Sequence, residues 1–220
     1  MFARVAHRYD FANHLLSFGI DRHWRRRVVK LVRPILHRPD SCVLDLCCGT
    51  GDLMLALGRD RARPVMGSDF CHPMLQAASR KDRQASLIEA DGLVLPFSNQ
   101  SFDLITIAFG FRNFANYEAG LLELRRVLKP GGLLAILEFS QPPNPILRGL
   151  YEWYSGRVLP KIGGMISGSR DAYEYLPFSV RKFPGASELA KMMEAAGFTS
   201  VTFERLTFGV VAIHLGHITQ

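Results

Sequence analysis

The sequence lacks the features that would place it in a membrane-spanning or secreted class. No apolar run approaches the ~20 residues that a membrane-spanning helix requires, so we expect no transmembrane segment. The N-terminal stretch MFARVAHRYD is polar from its third or fourth residue and has no apolar core of a secretory signal. A cytoplasmic location is therefore the expectation.

Cysteine is scarce and lacks the spacing of a metal site. The chain has four cysteines, Cys42, Cys47, Cys48 and Cys71, all in its first third. None of them forms a C-x-x-C pair, and two adjacent cysteines cannot provide the ligand spacing of a zinc finger. We therefore predict no metal site, and we interpret the cysteines as small buried thiols in a reducing compartment.

The remaining composition is typical of one globular domain. The 220 residues are 48% hydrophobic and 21% charged, without internal repeats or low-complexity tracts. The net charge of +7 is concentrated in residues 21–38, DRHWRRRVVKLVRPILHR, where apolar residues stand between basic ones at helical spacing. Three interpretations of this segment remain open: a solvated helix face, a nucleic-acid patch, or a surface for anionic lipid headgroups.

Residues 1–40 are predicted to be an N-terminal helical segment. Apolar residues recur in it at steps of three and four, which is the spacing of one helix face. These residues are Trp24, Val28, Leu31, Val32 and Ile35. Pro34 is expected to bend or end the helix. If the basic residues meet lipid headgroups, Trp24 is expected at the membrane interface.

Strand and helix patterns alternate five times between residues 41 and 140. The predicted strands are near-continuous apolar runs, as expected when helices cover both faces of a sheet. We therefore predict a doubly wound α/β fold with a mostly parallel sheet. Residues 141–183 are predicted to be an inserted helix and loop. Residues 184–220 are predicted to be a helix followed by an antiparallel hairpin, which brings the sheet to seven strands within a single domain.

The first segment with a chemical signature is VLDLCCGTGD, a predicted strand that runs into a glycine loop and a helix. Gly49 and Gly51 would let a ligand lie against bare backbone. A dinucleotide fingerprint needs a third glycine where the chain has Met54, and no Lys-Ser/Thr pair follows to make a phosphate loop. The carboxylates Asp45 and Asp52 flank the loop instead, which favours a cationic ligand.

Two further aspartates end the next two predicted strands. Asp69 ends the second strand, where a carboxylate can bind both ribose hydroxyls of an adenosyl group. Asp91 follows the third strand, where it could read an adenine amino group. Each aspartate alone could be a loop or capping residue, but three strand-end carboxylates in register with a glycine loop indicate a binding site.

The set VLDLCCGTGD, GSDF, ADGLVLPF and RVLKPGG is similar to the class I S-adenosylmethionine-dependent methyltransferases. The segments YDFANHLLSFGIDRHWRRRVV, LPFSNQSFDLITIAFGFRN, LKPGGLLAILEFSQP and YEYLPFSVRKFPG extend the likeness over essentially the whole chain. With them the chain resembles the ubiquinone/menaquinone-biosynthesis C-methyltransferases. Two positions depart from that family's usual residues: Phe111 replaces Leu or Ile, and Gly92 replaces Ala. We expect Phe111 to reshape the acceptor pocket.

The resemblance implies a Rossmann-like fold, S-adenosylmethionine as methyl donor and S-adenosylhomocysteine as product. It also implies that the methyl group is transferred to a ring carbon of a polyprenylated quinol, most closely from demethylmenaquinol to menaquinol. The implied cofactor-binding residues are Asp45, Gly49, Thr50, Gly51, Asp69, Phe70, Asp91, Gly92 and Ala108.

Arg112 and Asn113 interrupt the apolar stretch IAFGFRNF after the fourth predicted strand. In the implied reaction a ring hydroxyl loses its proton, and a buried cation and an amide would stabilise the resulting oxyanion. Because arginine is permanently charged, we expect Arg112 to hold the oxyanion or a water rather than to act as the base. A structural arginine paired with a carboxylate or a helix C-terminus is the alternative. Weaker catalytic candidates lie on the N-terminal segment, namely His7, Tyr9 and Asp10.

Other functions are less compatible with the sequence. A nucleic-acid amino-methyltransferase would carry an N/D-P-P-Y/F motif after the fourth strand, whereas QPPN follows the fifth strand and lacks the aromatic. A non-catalytic binding module does not explain the three aspartates. Methylation of another small aromatic or lipidic molecule of secondary metabolism remains the alternative.

We expect no nucleic-acid partner, a peripheral contact with the inner face of an anionic membrane, and a homodimer as a candidate assembly. Residues 141–183 could wall an apolar acceptor cleft.

Overall fold

The computed structural model describes residues 19–59, 61, 63–158 and 177–219. Helices and strands alternate through the first part of this range, as the sequence predicts. The helices are α1 (Ile20–Leu36), α2 (Asp52–Gly58), α3 (His72–Lys81), α4 (Tyr117–Val127), α5 (Pro145–Trp153) and α6 (Ala186–Ala195). The strands are β1 (Val43–Leu46), β2 (Met66–Asp69), β3 (Ser86–Glu89), β4 (Phe102–Ala108), β5 (Leu128–Phe139), β6 (Thr199–Leu206) and β7 (Val211–His217).

The strands form one seven-stranded sheet in the order β3-β2-β1-β4-β5-β7-β6. The five strands from β3 to β5 are mutually parallel, and β7 lies antiparallel between β5 and β6. This topology confirms the predicted mostly parallel sheet and its antiparallel C-terminal hairpin. The strand order reverses between β1 and β4, so a ligand crevice is expected at the carboxyl ends of these two strands.

Two hydrophobic clusters cover the two faces of the sheet because successive side chains of each strand point to opposite faces. On one face, α4 and α6 pack on Leu44, Ile105 and Ile136. On the other face, α1 and α2 pack on Val43 and Leu104. The sheet is therefore buried on both faces, and a few polar side chains, among them Asp45 and Thr106, are buried within it.

Helix α1 buries the predicted apolar stripe against the sheet, including Trp24, Val28 and Val32. Trp24 packs on the rings of Phe109 and Phe139, and its indole Nε1 donates a 2.8 Å hydrogen bond to Thr207 Oγ1. The expectation that Trp24 sits at a membrane interface is therefore wrong, because the ring is only 5% exposed.

Pro34 neither ends the helix, which continues to Leu36, nor disturbs its apolar face. The carbonyl that loses its hydrogen bond belongs to Lys30, which is exposed and therefore open to water.

Strand β5 begins three residues earlier than predicted. Leu128 pairs with Phe102 before the ladder resumes at Leu133, so the KPGG segment forms an irregularity within the strand rather than a turn before it.

No helix within the described residues is long and apolar enough to cross a bilayer. Of the predicted insertion 141–183, the structure describes α5, a single π turn at Tyr154–Val158 and a helical stretch at 177–182.

Candidate active site

The loop after β1 opens toward the crevice at the sheet's switch point. Gly49 has a φ of 55°, and a Cβ placed on it would meet no heavy atom within 4 Å. Its N–H donates a 2.8 Å hydrogen bond to Asp69 Oδ2, which ties the glycine loop to the end of β2. The loop therefore offers exposed backbone in a fixed position, as the sequence predicts for a ligand-binding turn.

Asp45 is buried inside β1 beside β4. Its Oδ1 accepts a 2.6 Å hydrogen bond from the hydroxyl of Thr106, the residue that pairs with it across the parallel ladder. Its Oδ2 makes no hydrogen bond to any part of the chain that the structure describes. Burial raises the pKa of Asp45 to about 7, although the bond from Thr106 and the charge of Arg25 oppose this rise. A buried carboxylate oxygen without a partner is suited to a polar or cationic group of a ligand.

Asp69 lies at the carboxyl end of β2 and serves both the loop and the crevice. Its Oδ1 accepts a 2.8 Å hydrogen bond from the Cys71 N–H, and its Oδ2 holds Gly49. Burial raises its pKa, and these backbone hydrogen bonds oppose the rise. Because each carboxylate oxygen has two acceptor positions, Asp69 can hold the loop and still accept hydrogen bonds from ribose hydroxyls. The neighbouring Phe70 is largely exposed.

Asp91 is exposed in a turn after β3. Its Oδ1 accepts a 2.9 Å hydrogen bond from the Leu93 N–H, and the backbone of Asp91 bridges to Val94. Gly92 lies directly against the ring of Phe114, which takes the space that a side chain would need. The Phe114 ring therefore occupies the space that the Cβ of an Ala at position 92 would need.

Asp52 does not face the ligand crevice as an uncompensated charge. Lys81 donates hydrogen bonds to Asp52 Oδ1 at 2.7 Å and to the buried Thr50 hydroxyl at 3.0 Å. Arg25 Nη2 lies 4.0 Å from the other Asp52 oxygen. The acidic character predicted for this loop therefore comes from Asp45 and Asp69, whereas Thr50 and Asp52 form a polar network behind the loop.

Among the described residues, no group of three or more His, Cys, Asp and Glu side chains is arranged to hold a metal ion.

Arg112 is buried after β4 and pairs with a carboxylate. A 3₁₀ turn, Phe111–Asn113, brings its Nη1 to 2.9 Å from Glu138 Oε1, and the same nitrogen donates to the Phe109 carbonyl. The Arg112 backbone N–H donates to Glu138 Oε2 at 3.2 Å, and its guanidinium lies 5.4 Å from the centre of the Phe139 ring. These contacts match the structural alternative for Arg112, and they also hold a charged group just after the carboxyl end of β4.

Glu138 is the site residue that sequence reasoning missed. It is 1% exposed near the end of β5, and Oε1 also accepts a 2.8 Å hydrogen bond from the Phe139 N–H. The available signal was a single acid inside the apolar run LLAILEFS, because a carboxylate in a buried strand requires a cationic or hydrogen-bonding partner. That partner, Arg112, is 26 residues away in sequence.

The remaining predicted site residues differ in position. The predicted catalytic residue Asn113 follows Arg112 and is exposed, and the predicted cofactor-binding residue Ala108 is half-buried at the end of β4. His7, Tyr9 and Asp10 lie outside the described residues. Phe111 is fully buried and packs against Phe114, Tyr117 and Phe183, so it shapes the core behind the pocket and not its wall.

A comparison with known families identifies the class to which this site belongs. The model of the ubiE/COQ5 methyltransferase family matches residues 1–218. The chain belongs to this family. It is 53% identical to the demethylmenaquinone methyltransferase of Thermus thermophilus, with 98% of this chain and 99% of the relative aligned. It is 41% identical to a ubiquinone/menaquinone biosynthesis C-methyltransferase of Shewanella pealeana, over 99% of this chain and 88% of the relative.

Solved structures agree on the fold of this ubiE/COQ5 family member. One similar structure is an S-adenosylmethionine-dependent methyltransferase of Thermotoga maritima, described as a possible histamine N-methyltransferase, with a TM-score of 0.60. It covers 96% of this chain and 99% of its own length, at 18% sequence identity. The protein is thus a methyltransferase of the ubiE/COQ5 family with this fold, and S-adenosylmethionine is the methyl donor expected for it.

The described residues fit that cofactor. Gly49 leaves open space beside its backbone, Asp45 has a buried oxygen with no described partner, and Asp69 retains acceptor positions. All three lie at the carboxyl ends of β1 and β2, where the topology places the crevice.

The four cysteines are free thiols, of which Cys48 is buried and the other three are half-buried. Burial raises the pKa of Cys47 and Cys48, so they stay protonated near neutral pH.

Proposed function

We propose that this methyltransferase transfers a methyl group to a ring carbon of a polyprenylated quinol, most closely in the step from demethylmenaquinol to menaquinol. The observation that carries this proposal is the 53% identity, over nearly the full length of both chains, to a demethylmenaquinone methyltransferase. The relatives reported above do not favour methylation of another small aromatic or lipidic molecule. S-adenosylhomocysteine would be the second product.

The cofactor half of the site would bind through the strand-end residues. When bound, S-adenosylmethionine supplies an electrophilic methyl group on a sulfonium centre. Asp69 would accept hydrogen bonds from the ribose hydroxyls, and Asp91 would accept one from the adenine amino group. Gly49 and Gly51 would let the backbone approach the amino-acid end, and Asp45 would offer its buried oxygen there. Phe70, Thr50, Gly92 and Ala108 would complete the walls.

The acceptor half would stabilise charge on the ring oxygen. As the hydroxyl loses its proton, the ring carbon becomes nucleophilic, and Arg112 with Asn113 would hold the oxyanion or a water bound to it. Glu138 would keep the guanidinium in place, which reduces the reorganisation that the reaction requires. Tyr151, near this pair, has its pKa raised to about 12 by burial, so at neutral pH it is a hydrogen-bond donor and not a base. Proton removal through water remains the proposed route, and Tyr9 remains a proposed catalytic residue.

We also infer that the enzyme acts at the inner face of an anionic membrane, because a polyprenylated acceptor is insoluble in water. The basic residues on the outer face of α1 are exposed and support this inference: Arg22, Arg26, Lys30 and Arg33. A homodimer stays a prediction, as does the expectation that nucleic acid is not a partner.

Methyl transfer can be tested with water-soluble acceptors. Purified protein would be given S-adenosylmethionine and a short-chain naphthoquinol that lacks the ring methyl group, with a matching benzoquinol in parallel. Mass spectrometry is expected to detect a methylated naphthoquinone. If calorimetry shows S-adenosylhomocysteine binding but neither quinol gains a methyl group, the proposed acceptor class is wrong. If the cofactor product does not bind, the proposed cofactor site is wrong.

A further inference from the structure

Helix α5 exposes its apolar side, unlike the other helices of the described residues. It has no buried residue, whereas α1, α2, α3, α4 and α6 each bury at least three. Ile146, Leu150 and Trp153 are 79%, 60% and 53% exposed. Their spacing of four and three residues puts them on one helix face, which extends about 10 Å along the axis at ~1.5 Å per residue. The sequence therefore builds an amphipathic helix whose apolar face is not covered by the residues that the structure describes.

The N-terminal end of α5 is fixed by local contacts, and its inner side lines a small cavity, where Tyr151 lies with Pro177 and Val180. Asn144 caps the helix by accepting hydrogen bonds from the Ile146 and Leu147 N–H groups, and Arg148 Nε donates to the Pro142 carbonyl at 3.1 Å. Tyr151 points to the inner side, where the charges of Arg112 and Glu138 influence its pKa. The helix thus lies between the acceptor side of the active site and the outer surface, with its apolar face turned outward.

Two more exposed aromatic rings lie on neighbouring segments. Phe208 is 78% exposed in the turn between β6 and β7, and the next residue, Gly209, is in close contact with Pro143 just before α5. Phe178 is exposed on the helical stretch at 177–182, which shares a small cavity with Tyr151 of α5. The apolar surface therefore extends beyond α5 along the carboxyl edge of β5.

Basic side chains surround this apolar surface. Arg157 follows α5 on its exposed side, Lys182 lies 4.2 Å from the centre of the Phe178 ring, and Arg205 precedes the Phe208 turn. Glu152 is the exposed acid on α5, and it faces the cavity that also contains Arg181. An apolar face with a cationic rim is the pattern of a helix that lies in the headgroup region of an anionic bilayer.

We propose that α5 and the Phe208 turn form the membrane-docking surface, with Ile146, Leu150 and Trp153 inserted at the headgroup–acyl boundary of an anionic bilayer. This inference moves the main membrane contact away from α1, whose apolar face is buried against the sheet. A two-fold contact between copies of the chain would bring identical cationic rims together, whereas anionic lipid neutralises them. The identity of the acceptor drawn from the bilayer rests on the proposed function, but the docking is independent of it.

The two tryptophans of the chain provide an internal test. Trp24 is buried between α1 and the sheet, and Trp153 is exposed on α5. Phosphatidylcholine vesicles that contain phosphatidylglycerol and brominated acyl chains would be added to the protein without substrate. We expect a blue shift and quenching of tryptophan emission that disappear in Trp153→Phe. Quenching that persists in Trp153→Phe would come from Trp24 and would overturn the proposal, as would the absence of quenching in the unaltered protein.

Flotation with matched variants tests the remaining face. Ile146→Ser/Leu150→Ser should reduce the vesicle-bound fraction about tenfold or more, whereas Leu122→Ser on α4, a site that is 53% exposed, should leave it unchanged. Arg157→Gln/Lys182→Gln should weaken binding only to anionic vesicles. If the α5 variant changes the sedimentation coefficient but not flotation, this face contacts a second copy and the proposal is wrong.

Activity separates docking from the proposed function. The α5 variant should keep its turnover on a short-chain soluble naphthoquinol and lose it on a long-chain quinol in vesicles. Equal loss on both acceptors would contradict a docking role. No turnover by the unaltered protein on either acceptor would contradict the proposed function and leave the vesicle results valid.

Discussion

The proposed cofactor half and the proposed acceptor half of the crevice are built differently. At the ends of β2 and β3, single carboxylates are held by short-range contacts, such as the bond from the Cys71 N–H to Asp69 and the bond from the Leu93 N–H to Asp91, whereas Asp45 in β1 is buried. At the ends of β4 and β5, a buried ion pair, Arg112–Glu138, joins residues 26 positions apart and lies beside the Phe139 ring. The first half presents acceptors to a ligand, whereas the second fixes a charge in an apolar environment.

This difference has a physical consequence for each half. An exposed strand-end carboxylate such as Asp91 keeps contact with water and can exchange water for a ligand at little cost. A buried ion pair has lost its hydration, so removal of one partner leaves a charge that neither water nor protein compensates. We therefore expect substitutions in the acceptor half to affect folding and turnover together, and substitutions in the cofactor half to act mainly on ligand affinity.

The largest effect is expected from Arg112→Ala. Turnover should fall by on the order of 100-fold or more, because a preorganised charge at the acceptor oxygen is lost. The free energy of unfolding should fall by about 3–5 kcal/mol, because Glu138 is left buried without its cation. Steady-state kinetics and urea unfolding measure the two effects, and binding of S-adenosylhomocysteine should persist.

A double substitution separates the two roles of the pair. Arg112→Met/Glu138→Leu removes both charges, so it should recover most of the lost stability while remaining inactive. If this variant were stable and active, Arg112 would be a structural residue only, and the acceptor half would lose its proposed electrostatic role.

The next effect concerns Asp45, the one deeply buried carboxyl group of the cofactor half. Its pKa is about 7 in the folded protein and 3.8 as an ordinary carboxyl, so between these values the native state binds a proton that the unfolded state has lost. Stability from this group is fully present below pH ~4 and is lost as pH rises to about 7. The loss could reach about 4 kcal/mol, because one pKa unit corresponds to roughly 1.4 kcal/mol.

Asp45→Asn should therefore be more stable than the unaltered protein at pH 8 and similar to it at pH 4. Urea unfolding at several pH values without cofactor measures the difference. If the free energies of unfolding of the two proteins change in parallel with pH, Asp45 is already ionised in the free enzyme. It would then behave like the exposed carboxylates of the cofactor half.

A third prediction tests the contact that joins the two halves. Gly110 follows β4, and a Cβ placed on it would collide with the side chain of Cys47 in the loop after β1. Gly110→Ala should therefore destabilise the fold by about 1–3 kcal/mol through overpacking. Cys47→Gly should relieve the collision, and it also suits the positive φ of 55° at that position. A double-mutant cycle from thermal or urea unfolding measures this coupling, and additive effects would show that the halves are independent.

The difference between the two halves also explains which site residues could be predicted from the sequence. Strand, glycine loop and helix follow one another within VLDLCCGTGD, so the cofactor loop can be located from a local pattern. Asp69 and Asp91 end the neighbouring strands, and parallel topology brings such ends to one edge. These inferences required no long-range packing, which is why they agree with the observed positions.

The acceptor half required information that spacing does not contain. Arg112 was recognised as an unusual residue in IAFGFRNF, but its partner Glu138 lies on the next strand, and only the β4–β5 register brings them together. The burial of Trp24 could not be predicted from the sequence either. A tryptophan among arginines is compatible with a membrane surface or a core, and the contact with Thr207 that decides for the core spans 183 residues.

The smallest effect is expected from Asp69→Asn, which sharpens the view that the cofactor half acts on affinity. The amide keeps one acceptor oxygen but replaces the other with a donor, which would oppose the Gly49 or Cys71 N–H that now bonds to it. S-adenosylhomocysteine should bind about tenfold more weakly by calorimetry, or roughly 1.4 kcal/mol. Turnover at saturating cofactor should change little. Asp52→Asn, at the start of α2 and paired with Lys81, is the matched control and should bind normally. A loss of turnover at saturating cofactor in Asp69→Asn would place this carboxylate in the chemistry and remove the distinction between the halves.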